Sequence, residues 1–234
     1  MWKQLADCLP FQMALGVSAQ AGLRGNGLAA TRPLELLPFH SVSVAAGLSV
    51  IVQLGSVWRG EISGDRNLLD LVELREEQGH LGLNLLHEIE PCVPLHVTLW
   101  SPKLERIEVG DAARLVVHGS LETLRLALDG AGQIRLAGQA RELEIHCGGA
   151  SRLDGFDCPA ERVRATCTEA ARAQLTVRRE LLATCSGASQ LELCGTPARH
   201  QIDCSGVALV RWRKPRAEAA SAREPEPEWS GAET

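Results

Sequence analysis

Tyrosine is absent from the 234 residues, and five Trp and three Phe bring the aromatic share to only 3%. A core drawn from a 45% hydrophobic composition must therefore be aliphatic and small. No apolar run approaches the eighteen or so residues that a membrane-spanning helix needs. Basic charge is not in excess: 24 Lys and Arg against 29 Asp and Glu leave a net charge of −5, which argues against a general nucleic-acid binder. Chemical signatures are missing too. There is no Walker loop, GxSxG, HExxH or EF-hand pattern. The glycine-rich Gly22-Leu-Arg-Gly25-Asn-Gly27 leads into strand-like sequence rather than the helix a phosphate cradle requires. The seven histidines form no i, i+2 or i, i+4 pair, and the eight cysteines contain no CxxC. No cofactor, metal site or catalytic residue is assigned.

What the chain does contain is a rhythm. The segments Asp111-Ala-Ala-Arg-Leu115, Gly130-Ala-Gly-Gln-Ile134, Gly149-Ala-Ser-Arg-Leu153, Glu169-Ala-Ala-Arg-Ala173, Gly187-Ala-Ser-Gln-Leu191 and Gly206-Val-Ala-Leu-Val210 start 19, 19, 20, 18 and 19 residues apart. Apolar residues fall four and two positions before each start, from Ile107 and Val109 to Ile202 and Cys204. They alternate with Glu108, His146, Thr166, Thr184 and Asp203, and the alternation resumes after the turn with pairs such as Leu115 and Val117. Period-two runs of four to six residues bounded by Gly, Ala, Ser and Asp are half-buried strands; a helical repeat would show three- and four-residue spacing over longer stretches. The predicted fold is all-β, a parallel β-solenoid with about 19 residues per coil, two short strands and two tight corners in each.

Residues 104–212 are expected to form the regular coils, and 31–103 an irregular β-rich opening that caps the same stack. In that opening, Val42 and Val44, Leu48, Val50 and Val52, Leu81 to Leu85, and Leu95 to Leu99 read as strands, with 68–75 also assigned to a strand. Residues 1–30 read as a poorly ordered or targeting-like amino terminus. Lys3, an apolar stretch from Leu9 and Ala19-Gln-Ala21 favour a leader, while Asp7, Pro10 and Gln12 oppose one. Location is thus left open between the envelope and the cytoplasm. Residues 213–234, rich in Arg, Glu, Pro and Ala, read as a disordered tail containing Trp229.

Cys147, Cys167, Cys185 and Cys204 share one inward position in successive coils, a vertical stack with a spacing of about 4.8 Å. The reading is a structural core column of small soft hydrophobes. A disulfide between stacked neighbours demands a difficult dihedral, and four ligands in a line do not surround a tetrahedral metal.

Outward, Arg114, Gln133, Arg152, Arg172 and Gln190 form a row of long polar side chains, a candidate grip for an anionic polymer such as an acidic glycan. The competing reading is a solvated face whose charges discourage lateral strand pairing. Asp154 and Asp157 are the carboxylates a glycan-cleaving enzyme would use, but adjacent coils place Arg135, Gln174 and small residues beside them, so no carboxylate ladder forms. A third reading is an intracellular scaffold recruiting partners through its tail.

Many weak motifs occur in a fixed order: Gly25-Asn-Gly27, Phe39-His-Ser-Val42-Ser-Val44-Ala-Ala-Gly47, Gly64-Asp-Arg-Asn67, Pro94-Leu-His-Val97, Ser101-Pro-Lys-Leu104, then Gly-Ala-Ser turns at 149–151 and 187–189. Over about residues 25 to 212 the chain resembles the GIN-domain family, head domains of putative autotransporter adhesins. The resemblance implies a right-handed parallel β-helix-like fold, usually exported and often tied to the cell envelope, with no catalytic residues to carry over. The expected function is a non-catalytic binding or adhesion module contacting a glycan or an envelope protein, with no nucleic-acid partner.

Overall fold

A computed structural model of the chain describes residues 22–214. The expectations for residues 1–21, including Cys8, and for the tail from 215 onward with Trp229 lie outside the described residues.

The strands in chain order are β1 (Leu23–Arg24), β2 (Ala29–Leu34), β3 (Ser41–Val44), β4 (Ser49–Leu54), β5 (Arg59–Asp65), β6 (Val72–Glu77), β7 (His80–Leu85), β8 (Ile89–Glu90) and β9 (His96–Ser101). They continue with β10 (Arg106–Val109), β11 (Arg114–Leu128), β12 (Gln133–Cys147), β13 (Arg152–Cys167), β14 (Arg172–Cys185), β15 (Gln190–Cys194), β16 (Arg199–Cys204) and β17 (Leu209–Arg213). Apart from a two-stranded pairing of β1 with β8, all belong to one sheet wound into a β-solenoid.

Register fixes the coil. Arg114 pairs with Gln133, Gln133 with Arg152, Arg152 with Arg172, Arg172 with Gln190, and Gln190 with Leu209, so successive coils are 19, 19, 20, 18 and 19 residues long. Inward side chains stack into buried columns: Leu115, Ile134, Leu153, Ala173 and Leu191 on one wall, Ile107, Leu126, Ile145, Ala165 and Ala183 on the other. Burying a Leu or Ile stabilises by about 1.5–3 kcal/mol, a gain repeated in each coil that places one there and smaller where Ala165, Ala173 or Ala183 stands instead.

The two corners of a coil differ. One is a tight turn closed by a bond from the fourth residue's amide to the first residue's carbonyl, as in Gly132 to Asp129 at 3.1 Å and Ala171 to Thr168 at 3.1 Å. Its second residue has positive φ in coil after coil, at Gly130 (60°), Gly149 (60°) and Gly187 (68°), and even where the sequence offers Asp111 (50°) or Glu169 (56°). The other corner is not a second tight turn. β11 to β14 bend through it without breaking, which makes them 14 to 16 residues long. Gly119 (φ 132°) and Gly138 (φ 128°) sit paired at this bend.

The opening section joins the stack out of chain order. β3 and β4 form a coil of their own, pairing with β10 and β11 on one side and with β7 and β9 on the other, all parallel. β6 and β5 then add antiparallel to β7 and β9, and β2 adds antiparallel to β5. Within 68–75 the strand expectation holds only from Val72. Leu69–Leu71 is a 3-10 turn, because the buried residues Leu68, Leu69 and Val72 lie at helical rather than alternating spacing.

Residues 22–30 carry β1 and the start of β2, and they are pinned by Asp65. This carboxylate accepts backbone amides of Gly27 (2.6 Å), Cys92 (2.8 Å) and Val93 (2.8 Å). Burial works to raise its pKa, but the three amide bonds outweigh it and hold the carboxyl below its usual range.

A Cβ on Gly138 would lie 2.0 Å from the carbonyl oxygen of Gly119, whereas one on Gly110 meets nothing within 4 Å. Gly138→Ala is therefore expected to cost about 2–4 kcal/mol in urea unfolding, and Gly110→Ala less than about 1 kcal/mol. Equal midpoints for the two variants would contradict the close coil stacking at this bend.

Candidate functional site

Arg114, Gln133, Arg152, Arg172 and Gln190 are the first residues of β11 to β15, each leaving the tight turn on the outward side of its strand. Because the turns stack in register, the five side chains lie on neighbouring strands about 4.8 Å apart and line a single shallow groove of about 490 Å³. All except Gln190 are exposed. Among the described residues, none of the three arginines has a carboxylate partner within ion-pair distance.

The next row behaves differently. Arg135 donates to Asp157 at 2.7 Å and lies 3.9 Å from Asp154, and these two carboxylates raise its pKa. Gln174 donates to Glu192 at 2.9 Å, and Glu192 also takes Arg213 at 2.9 Å, which holds its carboxyl below the usual range. Asp154 and Asp157 are thus brought together, but around a guanidinium that occupies both.

Other outward rows are also largely self-compensating. On the opposite wall Arg106 pairs with Glu108 (2.7 Å) and Arg125 with Glu144 (3.0 Å). At the gentle corner Glu122 pairs with Arg141, Glu142 with Arg162 and Glu161 with Arg179, at 3.4–3.7 Å. Exposed pairs of this kind contribute about 0–1 kcal/mol each, so their effect is to cancel charge locally. The first row is the one where positive charge accumulates.

That row is longer than the sequence reading placed it. Arg114 pairs with Ser49, Ser49 with His96, and His96 with Ser63 of β5, so polar side chains continue across three more strands. The sequence signal is slight: Ala46-Gly-Leu-Ser49 has the length of Asp111-Ala-Ala-Arg114, and the structure gives Ala46 and Asp111 similar positive φ, 54° and 50°. An offset of sixty-five residues between the paired positions conceals it.

The cysteine column divides. Cys147, Cys167 and Cys185 are buried and in register. Cys204 pairs with Cys185 in register but is exposed, which corrects its assignment to the core: among the described residues no coil follows to cover it. All seven described cysteines are free thiols. Among the described residues no three or more His, Cys, Asp or Glu converge as metal ligands would. The hydrogen bond with Cys147 pushes Cys167 up to about 12, with burial adding to it and Cys185 pulling the other way. Its bond with Cys167, then burial, raises Cys185, and burial alone takes Cys158 up to about 11.

These features define a parallel β-solenoid of aliphatic core with one cationic outward row. The chain belongs to the family described as "Putative auto-transporter adhesin, head GIN domain", which matches residues 38–197. Among solved structures it is similar to a putative adhesin from Bacteroides fragilis NCTC 9343, with a TM-score of 0.67 and 16% identity over 82% of this chain and 100% of that one. A putative lipid binding protein from Parabacteroides distasonis ATCC 8503 gives 0.51 and 12% over 83% and 100%. A putative adhesin from Parabacteroides merdae ATCC 43184 gives 0.50 and 18% over 82% and 99%. At these identities the likeness concerns the fold. Among curated proteins the comparison found no match. No helix among the described residues is long and apolar enough to cross a membrane.

Alkylation of the native protein at pH 8, mapped by peptide mass, is expected to modify Cys92 while sparing Cys147, Cys158 and Cys167. The spared thiols are all buried, Cys158 and Cys167 are also held in the neutral form, and denaturation should release all three. Native labelling of Cys167 at the rate of Cys92 would contradict a closed column.

Proposed function

We propose that this protein is a non-catalytic adhesion module of the cell envelope that grips an acidic glycan in the groove of Arg114, Gln133, Arg152, Arg172 and Gln190. The observation that carries the reading is an excess of positive charge: Asp154 and Glu192 also line the groove but face Arg135 and Arg213, while Arg114, Arg152 and Arg172 have no carboxylate within ion-pair distance among the described residues. Arg152 and Arg172 are direct neighbours across the ladder. Two like charges at such a separation repel by about 1 kcal/mol in water, a cost that an anionic ligand turns into attraction. Gln133 between Arg114 and Arg152, and Gln190 beyond Arg172, supply neutral donors and acceptors suited to hydroxyl groups. A groove that is shallow and open along several coils fits an extended polymer better than a small molecule.

The family's description as an adhesin head, and the adhesin names of two of the similar structures, support the same reading. The non-catalytic part rests on Asp154 and Asp157. A glycosidase needs one carboxyl free to protonate a leaving group and another free to attack or to activate water. Here Arg135 engages both.

Binding of polygalacturonate, with neutral dextran as control, tests the proposal by calorimetry. The wild type should bind polygalacturonate with an affinity that falls as salt rises, and should ignore dextran. Replacing Arg114, Arg152 and Arg172 together by Ala should weaken binding about 100-fold, at roughly 1 kcal/mol per charge-assisted contact. Unchanged binding by the triple variant, or equal binding of dextran, would overturn it.

A further inference from the structure

The carboxyl-terminal end of the stack is built like an interior layer, and among the described residues nothing covers it. Ile202 and Cys204 of β16 stand in register with buried Ala183 and Cys185, and Val210 and Trp212 of β17 with buried Leu191 and Leu193. Yet Cys204 is exposed, Trp212 is 45% exposed, and Val207 at the turn between the two strands is 78% exposed. Among the described residues no strand pairs with the outer edge of β16 or β17.

The opposite end is finished in another way. Its outermost strands, β6 and β2, have turned antiparallel. β6 carries Glu73, Arg75, Glu76 and Glu77, and β2 carries Arg32 and Pro33, the residues that keep an edge strand from pairing further.

We infer that the carboxyl-terminal end docks onto the same end of a second copy of this chain, about a twofold axis parallel to the strands. Rotation about such an axis exchanges the two walls, so β16 of one protomer lies antiparallel to β17 of its partner, with inward side chains still facing inward. Placing Asp203 opposite the partner's Arg211 sets the rest of the register. Ile202 then meets the partner's Trp212, Cys204 meets the partner's Val210, and the turns carrying Val207 abut. The charges match twice by symmetry. Glu192 is taken by Arg213 and is faced by Arg211 across the ladder, and Asp203 accepts from Gln201; among the described residues neither Asp203 nor Arg211 has an opposite charge within ion-pair distance.

A second copy fits this end better than the chain's own residues 215–234. Their sequence holds Pro215, Pro225 and Pro227 among glutamates and a single large apolar residue, Trp229, against the four inward positions Ile202, Cys204, Val210 and Trp212, which a second copy matches one for one. Because the two ends of the solenoid differ, pairing of like ends closes at two copies instead of growing into a filament.

Sedimentation equilibrium of the full chain over a range of concentrations tests the inference. The wild type should dimerise. Asp203→Arg and Arg211→Asp should each weaken self-association about tenfold or more, since each reversal opposes like charges at two places. An equimolar mixture of the two variants should regain wild-type affinity, because the hybrid restores both opposite-charge contacts. A wild type that stays monomeric at every concentration would overturn the inference, as would a dimer indifferent to both reversals or a mixture that fails to recover.

Discussion

The backbone ladder between successive coils is the constraint on which everything else depends. Each strand from β12 to β14 is hydrogen-bonded to a coil before it and a coil after it, in parallel and at a nearly fixed 19-residue offset. A parallel ladder in register repeats whatever the sequence places at a given position. Inward positions become apolar columns, turn positions become a stack of positive-φ residues, and outward positions become rows of charge. Energetically the first consequence dominates. A column of buried aliphatic side chains gains about 1.5–3 kcal/mol per large residue, against about 0–1 kcal/mol for each exposed ion pair. The surface rows are therefore free to serve recognition without endangering the fold.

Local charge compensation separates the rows by role. Around the gentle corner and on the wall of β10, most arginines find a glutamate one coil or two residues away. Arg135 is held by two aspartates. Only in the row that leaves the tight turn do three arginines and two glutamines line up without a carboxylate among them. The same ladder that makes this row also makes the uncovered end, because a stack of like coils has no intrinsic place to stop. One end stops by turning its strands antiparallel, and the other presents Ile202, Cys204, Val210 and Trp212 to whatever docks there.

Much of this was legible in the chain itself, for a physical reason: in a parallel stack the relation between sequence position and spatial row is linear. Alternation around Ile107, Leu126 and Ile145 gave the walls, and the Gly-Ala-Ser turns gave the coil length. The outward row from Arg114 to Gln190 followed from the same count. Linearity fails where the chain leaves sequential order. The coil of β3 and β4 stacks on β10 and β11 across sixty-five residues, so Ser49 and His96 were not seen as extensions of the row. It fails again where the register slips between Arg135 and Ala140 on β12, beside the carboxylates that Arg135 takes from β13. Cys204 shows a third limit: periodicity assigns a column position but does not say whether another coil covers it. The sequence predicts a second tight turn at the gentle corner, whereas the bend at Gly119 and Gly138 leaves the ladder intact.

The most direct measurement is the distance between spin labels at positions 114 and 190, introduced as cysteines in a protein whose accessible thiols have been replaced by Ser. Four coils separate these positions, and in-register stacking predicts a backbone separation of about 19 Å. A separation near 40 Å, as helical repeats packed about 10 Å apart would give, would contradict the stacked ladder and with it the continuous cationic row.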